Sequence, residues 1–512
     1  MHISTISLLA ALAGSTIAHL ALPFAFQSAD AAKPPSSHQP IGGHGCSVSS
    51  RAPGPQSAKR GQYTLKWQDG AVCPSHGEQQ WTGTIDVSNH RRLFFWAFES
   101  RNDPENDPVI FWMHGGPGES SMAAVFTEIG PCMFRDDGID IPEPNPWSWN
   151  KNANLVFIDQ PAGVGFSSIA RGGKLPARDM DGAEDFQEFL NIFFRDVFPR
   201  KAHLPIHIAT EKYGGHWGPT YIDHILTSRQ RNTPTAFWGN ITSMILVNPM
   251  IDYGGLIPGF FQLLCKDKRG EGIMSEDQCV DMLEALPNFE ALARECRQTL
   301  DVEKCAAVPA YAETNITAYY RDLVEQGERS PDHLYNPCMD PPDCHRPEMG
   351  NITEYLNRRI VRLKIGFPEC FNFTEKNDFI ESAYFFAESP WIPTTQKVAA
   401  ILDAYKRPKI IFDGSSFGDV RVLVLNGNLD PFGNTQGNMD QFDKINWSRK
   451  IEYRIAAWQA LNKKEFKSTG LWKGTKDGRL VFVGVDNAGG MVPTDAPETS
   501  YHILDRWLRN DW

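Results

Sequence analysis

The chain has 512 residues and a formal net charge of -12, and 41% of its residues are hydrophobic, including 14 Trp. This acidic balance, without any block of Lys and Arg, argues against nucleic acid or an anionic membrane surface as a partner. The apolar content is enough for a large core, and α/β folds of this length often form one unit rather than several domains of about 150 residues.

The N-terminus has the pattern of a secretory signal peptide. An apolar, small-residue run follows His2 and is too short to span a bilayer. We predict a signal peptide over residues 1–18, with cleavage after Ala18, or alternatively after Ala25 or Ala29. A hydrophobic N-terminal strand or helix is the structural alternative. No other stretch is apolar enough to predict a membrane span.

Residues 27–60 are rich in Pro, Ser, Gly and Ala. Such a composition is typical of a linker or pro-segment, because it cannot bury enough apolar surface to fix one conformation. We therefore begin the folded part of the chain at residue 61.

Two further patterns agree with the secretory pathway. Five Asn-x-Ser/Thr tripeptides predict N-glycosylation at Asn240, Asn315, Asn351, Asn372 and Asn446. The 10 Cys are even in number, as expected for an oxidised protein. Together these patterns predict a glycoprotein that is secreted or resides in the lumen of the secretory pathway or vacuole.

The cysteine spacing suggests where disulfides form. Cys338 and Cys344 close a Pro-rich loop of a length that suits one bridge. A cluster of four suggests a nested pair of bridges, although spacing alone cannot fix the connectivity; its members are Cys265, Cys279, Cys296 and Cys305. Because no Cys-x-x-Cys pair and no His at ligand spacing occurs, we predict no metal site and no cofactor.

Short apolar runs predict the strands of a sheet. Residues 80–87 and 92–98 are β-branched and aromatic and suggest paired strands. Continuous apolar runs typical of strands buried on both faces occur at 109–112, 155–158, 206–209, 244–247, 422–425 and 480–483. Residues 181–198 show helical periodicity. Helical segments between several strands favour an α/β fold, with a mostly parallel central sheet flanked by helices.

Residues 254–350 interrupt the alternation of strands and helices. They hold six of the 10 Cys and a mixture of short helices and loops. We interpret this segment as a disulfide-containing cap insertion over the carboxyl edge of the sheet, where such folds place ligands. The sheet core would then comprise residues 61–253 and 351–512.

A strand, a tight turn and a helix start follow one another at residues 205–219. Such a junction usually carries Gly-x-Ser-x-Gly, a nucleophile elbow that exposes a serine hydroxyl at the top of the sheet. Here Thr210 replaces the first Gly and Lys212 stands at the Ser position. A lysine cannot perform the proton-shuttled attack of an alkoxide.

Four segments together resemble the secreted serine carboxypeptidases, a branch of the α/β-hydrolase fold with a cap insertion. They are Trp-Met-His-Gly-Gly-Pro-Gly at 112–118, Asn-Leu-Val-Phe-Ile-Asp-Gln-Pro-Ala-Gly-Val-Gly-Phe-Ser at 154–167, the elbow at 210–219, and the pair 426–438 and 487–493. The resemblance covers roughly residues 79–512 and is weaker through the cap. It implies the fold of that family and, as an expectation, removal of residues from peptide C-termini.

The resemblance also assigns the catalytic positions. The family's nucleophile falls on Lys212, its base His on Gly490 and its triad acid on Asp430, which alone is retained. Triad chemistry requires both a nucleophile and a base that takes its proton. We therefore predict a family member that has lost peptidase activity. An active carboxypeptidase, hydrolase or acyltransferase that uses substitute residues is the alternative.

The family's binding positions are better preserved. The resemblance implies an oxyanion hole from the backbone N–H groups of Gly116 and Tyr213. It also implies a pocket for a peptide's terminal carboxylate, formed by Trp112, His114 (Asn in the family), Glu128 and Glu211. We predict that this pocket binds a peptide C-terminus or a small carboxylate. Alternatively, the two Glu satisfy each other without a ligand.

One more departure from the family concerns a disulfide. Glu119 stands where the family commonly has a Cys, whose partner would resemble Cys370. Cys370 is therefore expected to pair with Cys73 or Cys132, or to stay free.

Three interpretations of Lys212 remain open at this point. In the first, its ammonium fills the space left at Gly490 and pairs with Asp430 within ~4 Å, because a buried unpaired carboxylate is costly. In the second, it is an amine nucleophile or base activated by desolvation. In the third, other residues act in its place, with Ser120, Ser121 and His216 as candidates.

Overall fold

A computed structural model describes residues 61–134, 141–265, 272–339, 341, 344, 347–387, 389–404, 410–412, 415–417, 420–461 and 464–512. The signal peptide and linker predicted for residues 1–18 and 27–60 lie outside the described residues. Within these ranges, no helix combines the length and apolar character needed to cross a bilayer.

The strands lie in two stretches of the described chain, 63–247 and 410–485. They are β1 (Tyr63–Gln68), β2 (Gln80–Asp86), β3 (Arg91–Phe98), β4 (Val109–Met113), β5 (Cys132–Met133), β6 (Glu143–Pro144), β7 (Asn154–Asp159), β8 (Ser168–Ile169), β9 (Ile206–Glu211), β10 (Ile241–Val247), β11 (Ile410–Phe412), β12 (Ser415–Phe417), β13 (Arg421–Gly427), β14 (Gln459–Ala460), β15 (Gly470–Gly474) and β16 (Leu480–Val485). Every strand predicted from an apolar run is present.

Twelve of these strands form one sheet in the order β1-β2-β3-β7-β4-β9-β10-β13-β16-β15-β14, with β8 beside β3. From β7 to β16 all neighbours are parallel, whereas the strands at both sides pair antiparallel. The carboxyl ends of the parallel strands therefore meet at one edge, and the site described below lies there.

Helices cover both faces of the sheet and the region above it. They are α1 (Met122–Thr127), α2 (Asp179–Ile192), α3 (Gly214–Gln230), α4 (Tyr253–Cys265), α5 (Glu276–Thr299), α6 (Val302–Asn315), α7 (Ala318–Glu325), α8 (Pro347–Leu356), α9 (Arg359–Ile365), α10 (Asp378–Phe386), α11 (Thr395–Leu402), α12 (Thr435–Lys444), α13 (Lys450–Ile455), α14 (Val492–Asp495) and α15 (Pro497–Leu508). The helix predicted for 181–198 is α2, continued by a π-helical turn over Phe193–Val197.

Alternation along β4 shows why its five residues are all apolar. Phe111 belongs to the core that α2 and α3 cover, whereas Trp112 belongs to the core on the opposite face. Successive side chains of a strand point to opposite faces, so a strand buried on both sides needs an unbroken apolar run. The apolar runs therefore predicted the α/β class and its mostly parallel, buried sheet correctly.

The region predicted as the cap has a core of its own. Apolar residues of α4, α5, α6 and α7 pack together, with Phe260, Met282, Phe289 and Tyr320 at the centre. The predicted Cys338–Cys344 bridge is present.

The nested disulfide pair expected in the cap is wrong. The bridges are Cys265–Cys279 and Cys296–Cys305, each joining the end of one helix to the start of the next. Cys279 and Cys296 both lie on α5, where a rise of 1.5 Å per residue separates them by about 26 Å. A bridge between them is therefore excluded by the helix itself.

The expectation for Cys370 is also corrected. Cys73 and Cys132 bond to each other, so neither can be its partner. Cys370 is itself in a disulfide, so the alternative of a free thiol is wrong as well.

Candidate active site

The elbow forms where β9 passes into α3. Lys212 lies between them in the left-handed region, with φ 49°. Its N–H donates to the carbonyl of Val247 at 3.0 Å, and its carbonyl accepts from the N–H of Met250 at 2.9 Å. A left-handed residue other than Gly is strained and needs such support from its surroundings. The fold thus keeps the sharp turn of a nucleophile elbow around a lysine.

The loop after β4 packs directly on this turn. A Cβ added to Gly115 would lie 2.7 Å from the amide nitrogens of Tyr213 and Gly214, so only glycine allows this approach. The contact brings together the loop of Gly116 and the turn of Tyr213, the two predicted oxyanion donors. The Gly116 N–H makes no hydrogen bond to any described residue.

Asp430, which the resemblance assigns as the retained triad acid, follows β13 and is buried. Its Oδ2 accepts from Asn248 Nδ2 at 2.8 Å, and its Oδ1 accepts from the N–H groups of Phe432 and Gly433 at 2.9 and 2.8 Å. Burial, followed by the nearby carboxylate of Asp332, raises the pKa of Asp430 to about 7. Asp430 Oδ2, which accepts from Asn248, is the carboxyl oxygen of Asp430 that lies near position 490.

The base position, Gly490, lies beside Asp430 after β16. A Cβ placed on Gly490 would be 3.2 Å from Asp430 Oδ2 and 3.3 Å from Asp332 Oδ1. The Gly490 N–H also donates to the Asp332 carbonyl at 2.6 Å. Asp332, which comes from the cap region, therefore lies in the space toward which a side chain at 490 would project.

Lys212 also pairs with Asp332, since its Nζ lies 2.8 Å from Asp332 Oδ1, and the two side chains are 28% and 29% exposed. The Lys212–Asp430 ion pair predicted from the sequence is wrong, because within the described chain the Lys212 ammonium and Asp430 have the separate partners given above. The reason is geometric: a cap carboxylate occupies the space between them. Burial opposes the charge of Lys212, but Asp332, Glu119 and Glu211 together raise its pKa, so the amine is a cation.

Sequence reasoning missed Asp332 entirely. Its segment is held in place by backbone bonds, from Leu334 N–H to the Leu429 carbonyl at 2.8 Å and from Ser330 N–H to the Asn336 carbonyl at 2.8 Å. No motif surrounds Asp332. The sequence offered only an indirect signal. Neither Lys212 nor Asp430 has the partner that the family would provide at these positions, so another segment could supply a carboxylate.

The predicted carboxylate-binding residues gather around His114. Its Nδ1 lies 3.3 Å from Glu211 Oε2 and 3.7 Å from Glu128 Oε1, and its Nε2 lies 3.2 Å from Glu119 Oε2. His114, Glu128 and Glu211 are all buried. The fourth predicted residue, Trp112, lies on β4 two positions before His114. Its buried Nε1–H has no acceptor among the described residues.

The ionisable groups of this cluster strongly shift one another's pKa values. Burial lowers the pKa of His114, but the hydrogen bond to Glu119 and the charge of Glu211 outweigh it and leave the pKa raised. Burial and the neighbouring Glu128 raise the pKa of Glu211 well above its usual range. Burial alone would raise the pKa of Glu119, but His114, Lys212 and Lys376 outweigh burial and lower this pKa.

The candidate substitute nucleophiles have structural partners. Ser120 Oγ donates to Asp159 Oδ1 at 2.6 Å, and Ser121 Oγ donates to the Ile158 carbonyl at 2.6 Å. Both side chains are buried. His216 stacks on the Tyr213 ring, with 4.8 Å between the ring centroids, and is buried as well.

The five predicted glycosylation positions all lie outside the buried core. Asn372 and Asn446 are exposed, and Asn240, Asn315 and Asn351 are partly exposed. Their modification remains a prediction.

A mixed sheet with a parallel centre, a cap, and an elbow facing an oxyanion loop define the α/β-hydrolase class. Within that class, the family model described as serine carboxypeptidase matches residues 73–510. The chain therefore belongs to the serine carboxypeptidase family.

Relatives and solved structures agree with this membership. The chain is similar to carboxypeptidase Y homolog A of Pyricularia oryzae, with 29% identity over 487 residues that cover 94% of this chain and 80% of the relative. Its similarity to carboxypeptidase Y homolog A of Fusarium vanettenii is 31% over 435 residues, covering 85% and 74%. The fold resembles the crystal structure of Kex1(delta)p, a prohormone-processing carboxypeptidase from Saccharomyces cerevisiae, with a TM-score of 0.69, 20% identity and coverage of 86% and 94%.

Proposed function

We propose that this family member does not hydrolyse peptides and instead binds a carboxylate, either a peptide C-terminus or a small carboxylic acid. One observation carries the proposal. At the nucleophile position Lys212 is an ammonium held by Asp332, and Asp332 occupies the space beside Asp430 where a base would act.

Peptide hydrolysis by a triad needs a nucleophile that a neighbouring base deprotonates. An ammonium has no lone pair with which to attack a carbonyl. Its neighbours Asp332, Glu119 and Glu211 stabilise the cation, which argues against Lys212 as an amine nucleophile. Asp430 cannot take over as an orienting acid, since position 490 has no imidazole to orient.

The substitute nucleophiles are poorly suited to attack. The hydroxyl protons of Ser120 and Ser121 are committed to Asp159 and to a backbone carbonyl, in positions closed to solvent. His216 is likewise buried, against Tyr213. A hydrolase or acyltransferase that uses these residues is therefore the weaker candidate.

Binding is supported by donors that lack partners. The Nε1–H of Trp112 is buried without an acceptor, and the Gly116 N–H has none among the described residues. A buried donor normally has a partner, and a ligand carboxylate could supply oxygen acceptors. The family's pocket residues Trp112, Glu128 and Glu211 are retained, which favours the same class of ligand.

We also propose that the protein is a glycoprotein of the secretory pathway, either secreted or held in a vacuolar lumen. The disulfides in the described part of the chain support this, because such bonds persist in oxidising compartments. Mass spectrometry before and after enzymatic removal of N-glycans would test it. No change in mass would contradict the glycoprotein proposal.

A paired assay tests the loss of catalysis. Purified protein and Lys212→Ala are incubated with a blocked dipeptide at acidic pH, and release of the C-terminal residue is measured. We expect no turnover from either. Turnover that Lys212→Ala abolishes would contradict the proposal.

Calorimetric titration tests the binding. The same peptide is supplied with a free and with an amidated C-terminus, and we expect only the free carboxylate to bind. Equal binding of the two forms would refute carboxylate recognition.

A further inference from the structure

We propose that His114, Glu128 and Glu211 form a binding site for a divalent transition-metal cation. The site lies in the same pocket as the proposed carboxylate binding but does not depend on it. The substitution of the family's Asn by His114 is what adds a nitrogen ligand to the two carboxylates.

The spacing of the donor atoms fits a coordination sphere. One donor atom from each of the three side chains lies within 4.8 Å of the other two. His114 Nδ1 is 3.3 Å from Glu211 Oε2 and 3.7 Å from Glu128 Oε1. Ligands bound at about 2.1 Å in a tetrahedron are about 3.4 Å apart, so small side-chain shifts bring all three to one cation.

An unpartnered buried atom points to a missing ligand. Among the described residues, His114 Nδ1 has no hydrogen-bond partner, and Glu211 has only the carboxyl of Glu128, another member of the cluster. His114 is 3% exposed and Glu211 is 0% exposed. Polar atoms so deeply buried normally have partners, and one cation would contact the imidazole and both carboxylates at once.

The second nitrogen of His114 is arranged as in known metal sites. Its Nε2 lies 3.2 Å from Oε2 of Glu119. A carboxylate that accepts from the far ring N–H fixes the tautomer and leaves the near nitrogen free to bind a metal. Glu119 therefore orients the ligand, and His114 presents Nδ1 to the two carboxylates.

The two ammonium groups near the cluster have carboxylate partners of their own. Asp332 holds the Lys212 ammonium at 2.8 Å, and Glu381 holds the Lys376 ammonium at 3.0 Å. Both cations are thus paired with carboxylates outside the three ligands.

The ligand set indicates which cations would bind. One imidazole and two carboxylates suit Zn²⁺ or Mn²⁺ better than Mg²⁺, which prefers an all-oxygen octahedron. Three protein ligands leave a position open, and a water molecule or a ligand carboxylate could fill it.

Calorimetry with metal ions alone tests the proposal. The purified full-length chain is stripped with a chelator, dialysed, and titrated with Zn²⁺ and, in parallel, with Mg²⁺. We expect one Zn²⁺ per chain and much weaker binding of Mg²⁺. His114→Asn, which restores the family's residue, and the isosteric Glu211→Gln are each expected to weaken Zn²⁺ binding at least about 100-fold. His224→Asn, outside the cluster, is the matched control and should bind as the unmodified chain does.

Circular dichroism checks that each variant is folded. If His114→Asn does not fold, the result for Glu211→Gln decides the test. The proposal is overturned if the unmodified chain binds no stoichiometric Zn²⁺, or if the folded variants bind it unchanged. Repeating the peptide titration with chelator present separates the two proposals. If the chain binds the carboxylate but not Zn²⁺, only the metal-site proposal is refuted. If it binds Zn²⁺ but not the carboxylate, only the proposed function is refuted.

Discussion

The ammonium of Lys212 lies 2.8 Å from Oδ1 of Asp332, so a residue at the former nucleophile position is bonded to a residue of the cap. The same Asp332 accepts a hydrogen bond from the backbone of Gly490 through its carbonyl. One cap residue thus contacts both positions at which the resemblance places the nucleophile and the base. Lys212 is paired with this third residue and not with Asp430.

Restoring the two lost catalytic residues should not be sufficient for activity. In Lys212→Ser with Gly490→His, the new imidazole would meet Asp332, since a Cβ at 490 is already 3.3 Å from Asp332 Oδ1. Adding Asp332→Gly clears that space. We expect turnover of a blocked dipeptide only in the triple variant, at least about 100-fold above the double variant, because a complete triad contributes several orders of magnitude. Equal activity of the double and triple variants would show that Asp332 is not the obstacle.

The Lys212–Asp332 pair should stabilise the fold modestly. Both side chains are more than a quarter exposed, so solvent screens the pair, and we expect a coupling energy of about 1 kcal/mol. A double-mutant cycle with Lys212→Met and Asp332→Asn, followed by thermal unfolding, measures it. The more exposed pair Lys304–Glu295 is the control and should show little or no coupling, because solvent screens it further. Coupling no larger than in the control would contradict a structural role.

Asp430 should make the protein less stable as the pH rises. Burial and Asp332 raise its pKa from 3.8 to about 7, so between these values the folded state binds more protons than the unfolded state. Stability from this group is fully present below pH 4 and is lost as the pH approaches 7, with a slope of at most about 1.4 kcal/mol per pH unit. Asp430→Asn removes the titration and should flatten the dependence of the melting temperature on pH between 4.5 and 8.

Asp185, whose pKa burial likewise raises to about 7, provides the comparison for that experiment. It lies far along the chain from Asp430 and pairs with Arg91. Asp430→Asn should not change the contribution of Asp185 to the slope, so some dependence of the melting temperature on pH should persist. An unchanged slope in Asp430→Asn would mean that the carboxyl of Asp430 does not titrate in this range.

Ser120→Ala should affect stability and not any residual hydrolysis. The Ser120 hydroxyl donates to Asp159, and its removal leaves a buried carboxyl oxygen with one donor fewer. Such a loss costs about 1–3 kcal/mol. Thr314→Ala, which removes an exposed hydroxyl on α6, is the control and should change stability by less than about 0.5 kcal/mol. Hydrolysis that is lost in Ser120→Ala would indicate that Ser120 acts as a substitute nucleophile.

The sequence predicted the sheet and the elbow because both depend on local patterns. The strands around Phe111 and Leu423 are buried on both faces and are therefore continuous apolar runs. The resemblance could assign the three triad positions because Lys212, Asp430 and Gly490 each lie within a motif.

What the sequence could not provide depends on contacts between distant segments. Asp332 enters the site on a cap segment without a motif, and so the partner of Lys212 was predicted wrongly. The length of α5 decides how Cys279 and Cys296 pair, and spacing alone did not reveal that they share one helix. His114 could be recognised as a departure from the family, but its contact with Glu119 required the fold.

The left-handed turn at Lys212 is fixed by backbone groups of Val247 and Met250, and none of those bonds involves its side chain. The position therefore presents whatever side chain it carries at the same point above the sheet. The geometry of the turn is therefore independent of the side chain at 212, and a single substitution there would change the chemistry of the site without refolding the protein around it.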